Sequence, residues 1–324
     1  MKNSYWIFSH GREKKSDALK EQLALGLLTL SLTAAFGCVS PLESRPVLGE
    51  DPVTLSPQEL QKFVMPASAA WKTIQKVVVI VLENKDLDQS LRQPDLSAFS
   101  KKGAMLSQYF AITHPSQPNY IALISGSTQN VKTNFSQSLP MRHLGDLLEE
   151  AHKTWKAYAE DYPGDCFLGG SHQNYVRKHV PFLSFENVQK NPNRCKNVVN
   201  FDEWKTDLLQ HTLPDFSLVI PNQLNNGHDT SVDYAGHWVS SYLLPLIEPM
   251  EANPDTLFVL TFDEGSQKNQ VYTVLYGASV KPGWVSQEPY SHFGLLRTVE
   301  TILGLSNLGL NDSRAKPIVD VWKE

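Results

Sequence analysis

A serine that stands between two prolines has the setting of a catalytic nucleophile. Ser116 lies in the segment HPSQPNY at residues 114–120, and an apolar run of helical length follows it. Pro118 suits the first turn of a helix, where its missing N–H group costs nothing. We therefore expect a helix over residues 117–125, whose free N–H groups and positive dipole end would favour an anion near Ser116. A serine that simply caps a helix has the same pattern, so this segment alone leaves both interpretations open.

Two predicted strands end in polar pairs whose oxygens suit a metal ion. Residues 76–82 and 257–262 are short and apolar, with many β-branched or aromatic side chains, which is typical of buried strands. The residues that follow these strands are Glu83, Asn84, Asp263 and Glu264. Because ligands of open α/β sheets bind beyond the carboxyl ends of the strands, we expect all four beside Ser116. Their oxygens predict a site for a divalent ion, Zn, Mn, Ca or Mg; the alternative is that the acids cap the following helices.

Two histidines are candidates for the same edge of the sheet. His228 follows an apolar strand expected at residues 216–220 and lies in a polar loop, which favours a functional role over a solvated one. His292 precedes a predicted helix, and on the residues alone it is equally well explained as a cap. Lys178 and His179 have no such positional argument, so a solvated loop is the favoured interpretation of that pair.

Five segments, taken together, resemble the bacterial and fungal phosphoesterase family that contains acid phosphatases and phosphocholine-type phospholipases C. They occur in the family's order and are residues 79–84, 114–120 with 125–126, 221–222 with 225 and 228–229, 261–264 and 290–300. The family belongs to the alkaline-phosphatase-like superfamily. The resemblance covers most of residues 75–305 and implies an α/β fold with three αβα layers around a central, mostly parallel sheet.

The resemblance implies a role for each residue that matches the family's motifs. Ser116 would be the nucleophile that takes the phosphoryl group, and His228 or His292 would protonate the leaving oxygen. The implied metal ligands are Glu83, Asn84, Asp263 and Glu264. The residues implied to contact the phosphate are His114, Asn119, Lys178, His179 and Asp229.

Three residues depart from the family's pattern. Asn226 and Gly227 stand where the family usually has an acid just before its Met-His-Asp, so a further metal ligand at Asn226 is unsupported. Lys85 follows the first polar pair at a position where a polar residue or a histidine is common.

The rest of the chain alternates strands and helices. Further strands are expected at residues 155–159 and 271–276, and helices at residues 141–153, 202–210, 236–250 and 293–303. Residues 161–200, with their Gly, Pro and Asn, predict a long irregular excursion. Alternation of this kind is typical of a sheet covered by helices on both faces. We expect one catalytic domain over residues 71–324.

The first 70 residues have the composition of an export signal and a tether. An apolar run at residues 23–37 follows several basic residues and is shorter than the ~20 residues of a comfortable membrane span. We expect a signal peptide at residues 1–37, and the AFGC sequence that ends at Cys38 resembles a bacterial lipobox with a lipidated cysteine. Plain cleavage and an uncleaved anchor are the alternatives. Residues 38–70, rich in proline, predict a flexible tether for a periplasmic or outer-membrane lipoprotein, or for a secreted protein.

Two cysteines remain once Cys38 is set aside. Cys166 and Cys195 are permitted to form a disulfide if the protein is exported, although two unrelated buried thiols are the alternative. The resemblance to secreted acid phosphatases favours the bridge.

These patterns predict an exported, metal-dependent acid phosphatase that hydrolyses phosphate monoesters through a phosphoserine on Ser116. A metal would lower the pKa of the hydroxyl and neutralise phosphate charge. The substrate would be a small phosphorylated molecule; the net charge of −5 and the lack of a Lys/Arg-rich block argue against nucleic acid. The alternatives are a phospholipase C, an inactive binding lipoprotein, and a sulfatase, whose Cys/Ser-x-Pro-x-Arg signature here lacks the arginine.

Overall fold

A computed structural model describes residues 51–53, 56–60, 64–67, 70–250, 253–266 and 268–324. The predicted signal peptide, the lipidation site Cys38 and most of the predicted tether lie outside these residues. Within them, no helix combines the length and the apolar character that crossing a bilayer requires.

An eight-stranded sheet forms the middle layer of the fold. The strands in chain order are β1 Lys76–Leu82, β2 Ala104–Phe110, β3 Trp155–Ala159, β4 Ser171–His172, β5 Tyr175–Val176, β6 Val198–Asn200, β7 Phe216–Ile220, β8 Thr256–Phe262, β9 Thr273–Tyr276 and β10 Val285–Ser291. The spatial order of the sheet is β10-β2-β9-β8-β1-β7-β3-β6, while β4 and β5 pair separately. Neighbouring strands of the sheet are parallel, except that β9 is antiparallel to both β2 and β8.

Helices flank the sheet and complete the predicted three-layer αβα arrangement. The α-helices are α1 Pro57–Leu60, α2 Leu87–Arg92, α3 Pro94–Ser100, α4 Ser116–Ser125, α5 Leu144–Glu150, α6 Glu186–Gln189, α7 Pro192–Cys195, α8 Phe201–Leu209, α9 Val232–Trp238, α10 Leu244–Ile247 and α11 His292–Ile302. Short 3₁₀ turns lie at Ala70–Thr73, Arg177–His179, Pro181–Ser184, Glu248–Met250 and Asn311–Arg314. Helix α4 packs against both α5 and α11, and α2, α3 and α9 form a second group.

The core is built around β1, which explains the apolar run at its position in the sequence. Strand β1 lies between β7 and β8, and its residues 77–82 are buried. A strand covered on both faces cannot alternate with polar residues, so each position carries Val, Ile or Leu. Burial of each such side chain contributes about 1.5–3 kcal/mol to the stability of the fold. A carboxylate in place of Val79 would lose this stabilisation and would add the cost of removing a charge from water.

Several element boundaries differ from the sequence prediction. The helix predicted at residues 236–250 is interrupted by a π-helical turn at Val239–Leu243, which comes just before Pro245 in α10. Proline lacks the N–H that a regular α-helix would use there. The helix predicted at residues 141–153 is shorter, because the His143 side chain accepts a hydrogen bond from Gly145 N and begins α5 at Leu144.

The structure contains several strands and short helices that the sequence did not predict. Strand β2 was not predicted because its apolar half is followed by Ser107 and Gln108. Strand β10 is an edge strand with exposed residues and a register shift between Ser286 and Pro289, so it lacks an apolar pattern. The excursion at residues 161–200 contains β4, β5, β6 and two helical turns, α6 and α7.

The described part of the predicted tether packs on the domain. Val53 and Met65 are buried, and Trp71 Nε1 donates a hydrogen bond to Pro66 O. Ala70 N donates to Lys323 O, near the end of the chain. The packed region therefore includes residues that precede the predicted domain boundary at 71.

The excursion at residues 161–200 carries a disulfide between Cys166 and Cys195. Their Cα atoms are 5.5 Å apart, and 29 positions separate them in sequence. The bridge agrees with the pairing that the family resemblance implied, and it joins the loop after β3 to α7.

Candidate active site

The catalytic candidate Ser116 is the first residue of α4 rather than its cap. Pro115 occupies the N-cap position and makes no side-chain capping bond. The Ser116 side chain is buried and faces away from its own helix, toward the ends of β1 and β8. Helix α4 ends at Gly126, whose left-handed φ of 66° suits glycine. The interpretation of Ser116 as an ordinary helix cap therefore does not hold.

Three acceptor oxygens converge on the Ser116 hydroxyl. The Oγ atom lies 3.0 Å from Glu264 Oε1, 3.2 Å from Glu83 Oε2 and 3.5 Å from Asn84 Oδ1. A hydroxyl has one proton to donate, so it cannot satisfy all three acceptors at once. Because more acceptor oxygens than protons meet here, the site electrostatically favours a cation or an additional proton.

The register of the sheet brings the two polar pairs together. Leu82 at the end of β1 pairs with Phe262 at the end of β8, so the residues after them lie side by side. Asn84 has a left-handed φ of 57°, and its N–H donates to Asp263 Oδ1 at 3.0 Å. Asp263 Oδ2 is buried and has no hydrogen-bond partner.

Burial and mutual repulsion perturb these carboxyl groups. Burial, together with the charge of Asp263, raises the pKa of Glu83 well above its ordinary value. Burial and the charge of Glu264 raise the pKa of Asp263 to about 7. Buried carboxylates this close are costly unless protons or a cation compensate them.

The donor chemistry of this cluster fits a hard divalent cation. Its members offer carboxylate and amide oxygens and a hydroxyl, and one carboxylate oxygen is unpartnered. In the part of the chain that the structure describes, no three His, Cys, Asp or Glu side chains are already arranged as a metal centre. The cluster at Ser116 includes an amide oxygen and a hydroxyl oxygen in addition to the carboxylates.

Tyr120 and His179 support Glu83 from the side of α4. The Tyr120 hydroxyl donates a hydrogen bond to Glu83 Oε1. His179 Nε2 lies 3.1 Å from the same oxygen, without the direction of a hydrogen bond. The two rings stack, with centroids 5.0 Å apart. Burial lowers the pKa of His179 well below its ordinary value, with Lys178 and His228 adding to the effect.

A histidine and an acid form a dyad beside this cluster. His228 Nδ1 lies 2.6 Å from Asp229 Oδ1, and the other ring nitrogen lies 3.5 Å from Lys178 Nζ. The His228 ring is 6.0 Å from that of His179. The dyad is partly exposed, whereas Ser116 is buried, so these groups lie toward the mouth of the site.

Residues that depart from the family's pattern position the dyad. Asn226 Oδ1 accepts from His228 N at 2.8 Å, and Asn226 O accepts from Glu83 N at 2.9 Å. Lys85 Nζ donates to Gly227 O at 2.9 Å. Asn226 is therefore a structural residue of the loop that carries His228.

His292 lies behind the metal-binding candidates and does not face the site. It is fully buried, with Nδ1 3.0 Å from the Tyr109 hydroxyl and Nε2 2.6 Å from Asp263 O. Burial lowers its pKa to about 4. With both ring nitrogens engaged, the proton-donor role that the resemblance implied for His292 does not fit this geometry.

Two of the predicted phosphate contacts are engaged with protein groups. Asn119 Oδ1 accepts from Ile112 N and Thr113 N at 2.9 and 3.0 Å, and Nδ2 donates to Thr113 O at 2.8 Å. Its buried amide thus holds the loop before Ser116 and does not point at a ligand. His114 Nδ1 is 2.5 Å from Glu264 Oε2, and its ring is half-exposed.

Sequence reasoning missed the supporting roles of Tyr120, Lys85 and Tyr109. Tyr120 follows Ser116 by four positions in a helix, which places it on the same face, and that spacing was the available signal. Tyr109 contacts the site only through the tertiary fold, so no pattern in the sequence marked it. Lys85 stood out in the sequence only as a departure from the family's pattern, because its hydrogen bond to Gly227 O depends on the tertiary fold.

A buried serine among carboxylates lies at the carboxyl edge of a mostly parallel sheet that has helices on its faces. The profile of the Phosphoesterase family matches residues 92–306, and the chain belongs to that family. It is an enzyme that hydrolyses phosphoric ester bonds. This assignment excludes the inactive binding lipoprotein.

The names of similar proteins agree with this assignment. The chain is 33% identical to a probable acid phosphatase of Kluyveromyces lactis over an alignment of 310 residues. That alignment covers 90% of this chain and 73% of the relative. It is 34% identical over 253 residues to a phosphate-repressible acid phosphatase of Penicillium chrysogenum, covering 74% of this chain and 61% of the relative. It is 37% identical over 265 residues to a phosphatidylinositol-3-phosphatase of Mycobacterium tuberculosis, covering 79% and 85%.

A solved structure shares the fold at low sequence identity. A protein in the alkaline phosphatase superfamily from Vibrio parahaemolyticus superposes with a TM-score of 0.55 at 14% identity, over 82% of this chain and 76% of that one. The likeness supports the three-layer architecture.

Proposed function

We propose that this enzyme hydrolyses phosphate monoesters through a phosphoserine on Ser116, as an acid phosphatase. The observation that carries the proposal is the convergence of Glu264, Glu83 and Asn84 oxygens on Ser116 Oγ. The names of the fungal relatives as acid phosphatases support it.

We propose further that a divalent metal is held by Glu83, Asn84, Asp263 and Glu264. The unpartnered Asp263 Oδ2 and the raised pKa of Glu83 support a cation here. When bound, such an ion lowers the pKa of a serine hydroxyl and neutralises charge on the phosphate. The metal's identity, Zn, Mn, Ca or Mg, is to be measured.

The chain's own residues supply the remaining steps. Ser116 Oγ bonds to phosphorus while the bond from phosphorus to the ester oxygen breaks, and the serine proton passes to Glu264. His228, oriented by Asp229, gives a proton to the departing oxygen. A water oxygen then bonds to phosphorus, His228 recovers a proton from that water, and the serine oxygen leaves with the proton held by Glu264. Alcohol and inorganic phosphate are the products, and Lys178 near His228 stabilises the phosphoryl charge.

The test is hydrolysis of p-nitrophenyl phosphate by the full chain between pH 4 and 9. We expect Ser116→Ala to lose about 10³-fold or more in kcat, chelation to abolish turnover, and one added divalent ion to restore it. Acid-quenched wild type should carry labelled phosphate on Ser116. Ser240→Ala, outside the site, is the matched control. Normal turnover by Ser116→Ala would exclude the mechanism.

A lipid headgroup is the second candidate for the substrate. The Mycobacterium tuberculosis relative is named a phosphatidylinositol-3-phosphatase, which acts on a monoester carried by a lipid. Release of inorganic phosphate from phosphatidylinositol 3-phosphate would extend the monoesterase to lipids. Cleavage of phosphatidylcholine without any monoesterase activity would instead favour the phospholipase C alternative.

We also propose that the protein is exported and tethered through a lipid on Cys38. The disulfide between Cys166 and Cys195 is consistent with an oxidising compartment. Labelled palmitate should enter the wild-type chain and not Cys38→Ala, and the wild type should fractionate outside the cytoplasm. Equal labelling of both would exclude lipidation at Cys38.

A further inference from the structure

Residues 132–136, which we call the 132–136 loop, are fixed against the first turn of the catalytic helix. Asn134 Oδ1 accepts a hydrogen bond from Gln117 N at 3.0 Å, one residue after the nucleophile. With its amide nitrogen toward the loop, the Gln117 side chain donates to Phe135 O at 2.6 Å and Thr133 O at 3.1 Å. The loop therefore lies directly over the N-terminus of α4.

The far side of this loop is also anchored. Gln137 Nε2 donates to Phe135 O at 2.7 Å. Gln137 O accepts from Arg177 Nη2 at 2.9 Å and from Gln189 Nε2 at 2.8 Å. Although its backbone is held from both sides, the Phe135 side chain is 77% exposed.

The backbone of a second residue with an exposed apolar side chain is bound by the same arginine. Arg177 Nη1 donates to Leu168 O at 2.8 Å, and Leu168 is 38% exposed. Arg177 immediately precedes Lys178 and His179, which lie beside the dyad and Glu83. We call Phe135 and Leu168 the apolar rim. Their two loops meet at one guanidinium group beside the active site.

The direction of the reaction points the alcohol of the substrate outward. Ser116 is buried at 2% exposure, and in-line displacement places the leaving oxygen on the side of phosphorus opposite Oγ. The alcohol must therefore extend from the buried serine toward solvent, past the loops that border the site. An aromatic side chain on a rigid backbone contacts such a group at little entropic cost.

We propose that the apolar rim binds the apolar part of the substrate's alcohol, so that the enzyme selects monoesters of aryl or long-chain alkyl alcohols over those of short alcohols. The inference rests on the proposed monoesterase function and specifies its substrate class. Phe135 is the principal contact, because its side chain is the most exposed apolar group on the loop that covers α4.

The test compares n-alkyl phosphates that differ only in chain length. For the wild type we expect kcat/KM for n-hexyl phosphate to exceed that for ethyl phosphate by about tenfold, through KM, as partial burial of four methylenes gives. Phe135→Ala should reduce this ratio to about two without changing kcat for ethyl phosphate, and Phe135→Trp should restore it. Leu209→Ala is the control and should keep the wild-type ratio, because Leu209 is a similarly exposed apolar residue at the end of α8, just before β7 begins.

The outcomes separate this inference from the proposed function. If the wild type hydrolyses no monoester, the proposed function itself is wrong. The apolar rim would still be supported if calorimetry showed that n-hexylphosphonate binds more tightly than ethylphosphonate, and if Phe135→Ala lost this difference. The inference would be overturned if the wild type had nearly equal kcat/KM values for n-hexyl and ethyl phosphate. It would also be overturned if Phe135→Ala lowered kcat/KM equally for both substrates. Loss of binding to phosphatidylcholine vesicles in Phe135→Ala, with the chain-length ratio unchanged, would assign Phe135 to a membrane surface and overturn it as well.

Discussion

The hydroxyl of Ser116 lies 3.0 Å from Oε1 of Glu264, although 148 positions separate the two residues in sequence. The other oxygen of Glu264 is 2.5 Å from His114 Nδ1, which sets the orientation of the carboxyl group. The nucleophile's own loop thus holds the acid that contacts the nucleophile. The position of the Ser116 hydroxyl therefore depends on Glu264, which follows the end of β8.

Removing the Tyr120 hydroxyl should lower activity without unfolding the protein. Tyr120→Phe deletes the hydrogen bond to Glu83 and leaves a buried carboxylate oxygen without that donor. Because Glu83 is a proposed metal ligand, we expect kcat/KM for p-nitrophenyl phosphate to fall about 10- to 100-fold, as is typical when a residue that orients such a ligand is changed, and bound metal to decrease.

Tyr158→Phe is the matched control for that variant. Tyr158 is also buried, and it lies on β3, one strand from the β6 edge of the sheet. Its hydroxyl donates a hydrogen bond to Asp207 Oδ2 at 2.7 Å. Its kcat/KM should stay within twofold of the wild type. Full activity and full metal content in Tyr120→Phe would show that the contact with Glu83 has no role in the site.

Asn119→Ala should act on the position of the nucleophile rather than on phosphate affinity. The substitution leaves Ile112 N and Thr113 N without their buried acceptor, which costs about 1–3 kcal/mol for an unsatisfied group. We expect a lower urea midpoint and a lower kcat, with the inhibition constant of inorganic phosphate unchanged. A weaker phosphate affinity at wild-type stability would instead restore the phosphate contact that the family resemblance implied.

Reducing the disulfide should destabilise the domain. The bridge closes a segment in which 29 positions separate Cys166 and Cys195, and the chain-entropy relation assigns such a loop about 3–4 kcal/mol. Urea unfolding of Cys166→Ser/Cys195→Ser should therefore show a lower midpoint than the oxidised wild type, and dithiothreitol should lower the wild-type midpoint to match. Identical midpoints with and without reductant would contradict the expectation.

Acidification should weaken the fold through His143. Burial lowers the pKa of this side chain below its ordinary value of 6.5, although Asp146 and Glu149 oppose the effect and Arg194 adds to it. The unfolded chain then binds the proton more tightly than the folded one, so stability present above pH 6.5 is lost as the pH falls toward the folded pKa.

The measurement compares the free energy of unfolding at pH 7 and pH 5. His143→Asn should show a smaller decrease between the two pH values than the wild type does. His211→Asn, at an exposed position, should keep the wild-type decrease. If His143→Asn loses as much stability on acidification as the wild type, other groups carry the pH dependence.

Strands β1, β3 and β7 were predictable because each is fully or largely buried, and burial forces an apolar run that is readable in one segment. Strand β10 was not, because an edge strand with exposed residues needs no such run. The helix at residues 236–250 was predicted as one piece, since a π-helical turn depends on how the backbone accommodates Pro245.

Residue types and their order along the chain determined the family, the α/β class and the candidate nucleophile Ser116, because motifs at strand ends and helix starts are local. Tertiary structure alone decided which candidates face the site. His228 reaches its mouth while His292 is buried behind Asp263, although both histidines lie at predicted sheet-edge positions. The physical reason is that orientation depends on packing between segments distant in sequence, and on which hydrogen-bond partners remain once those segments have met.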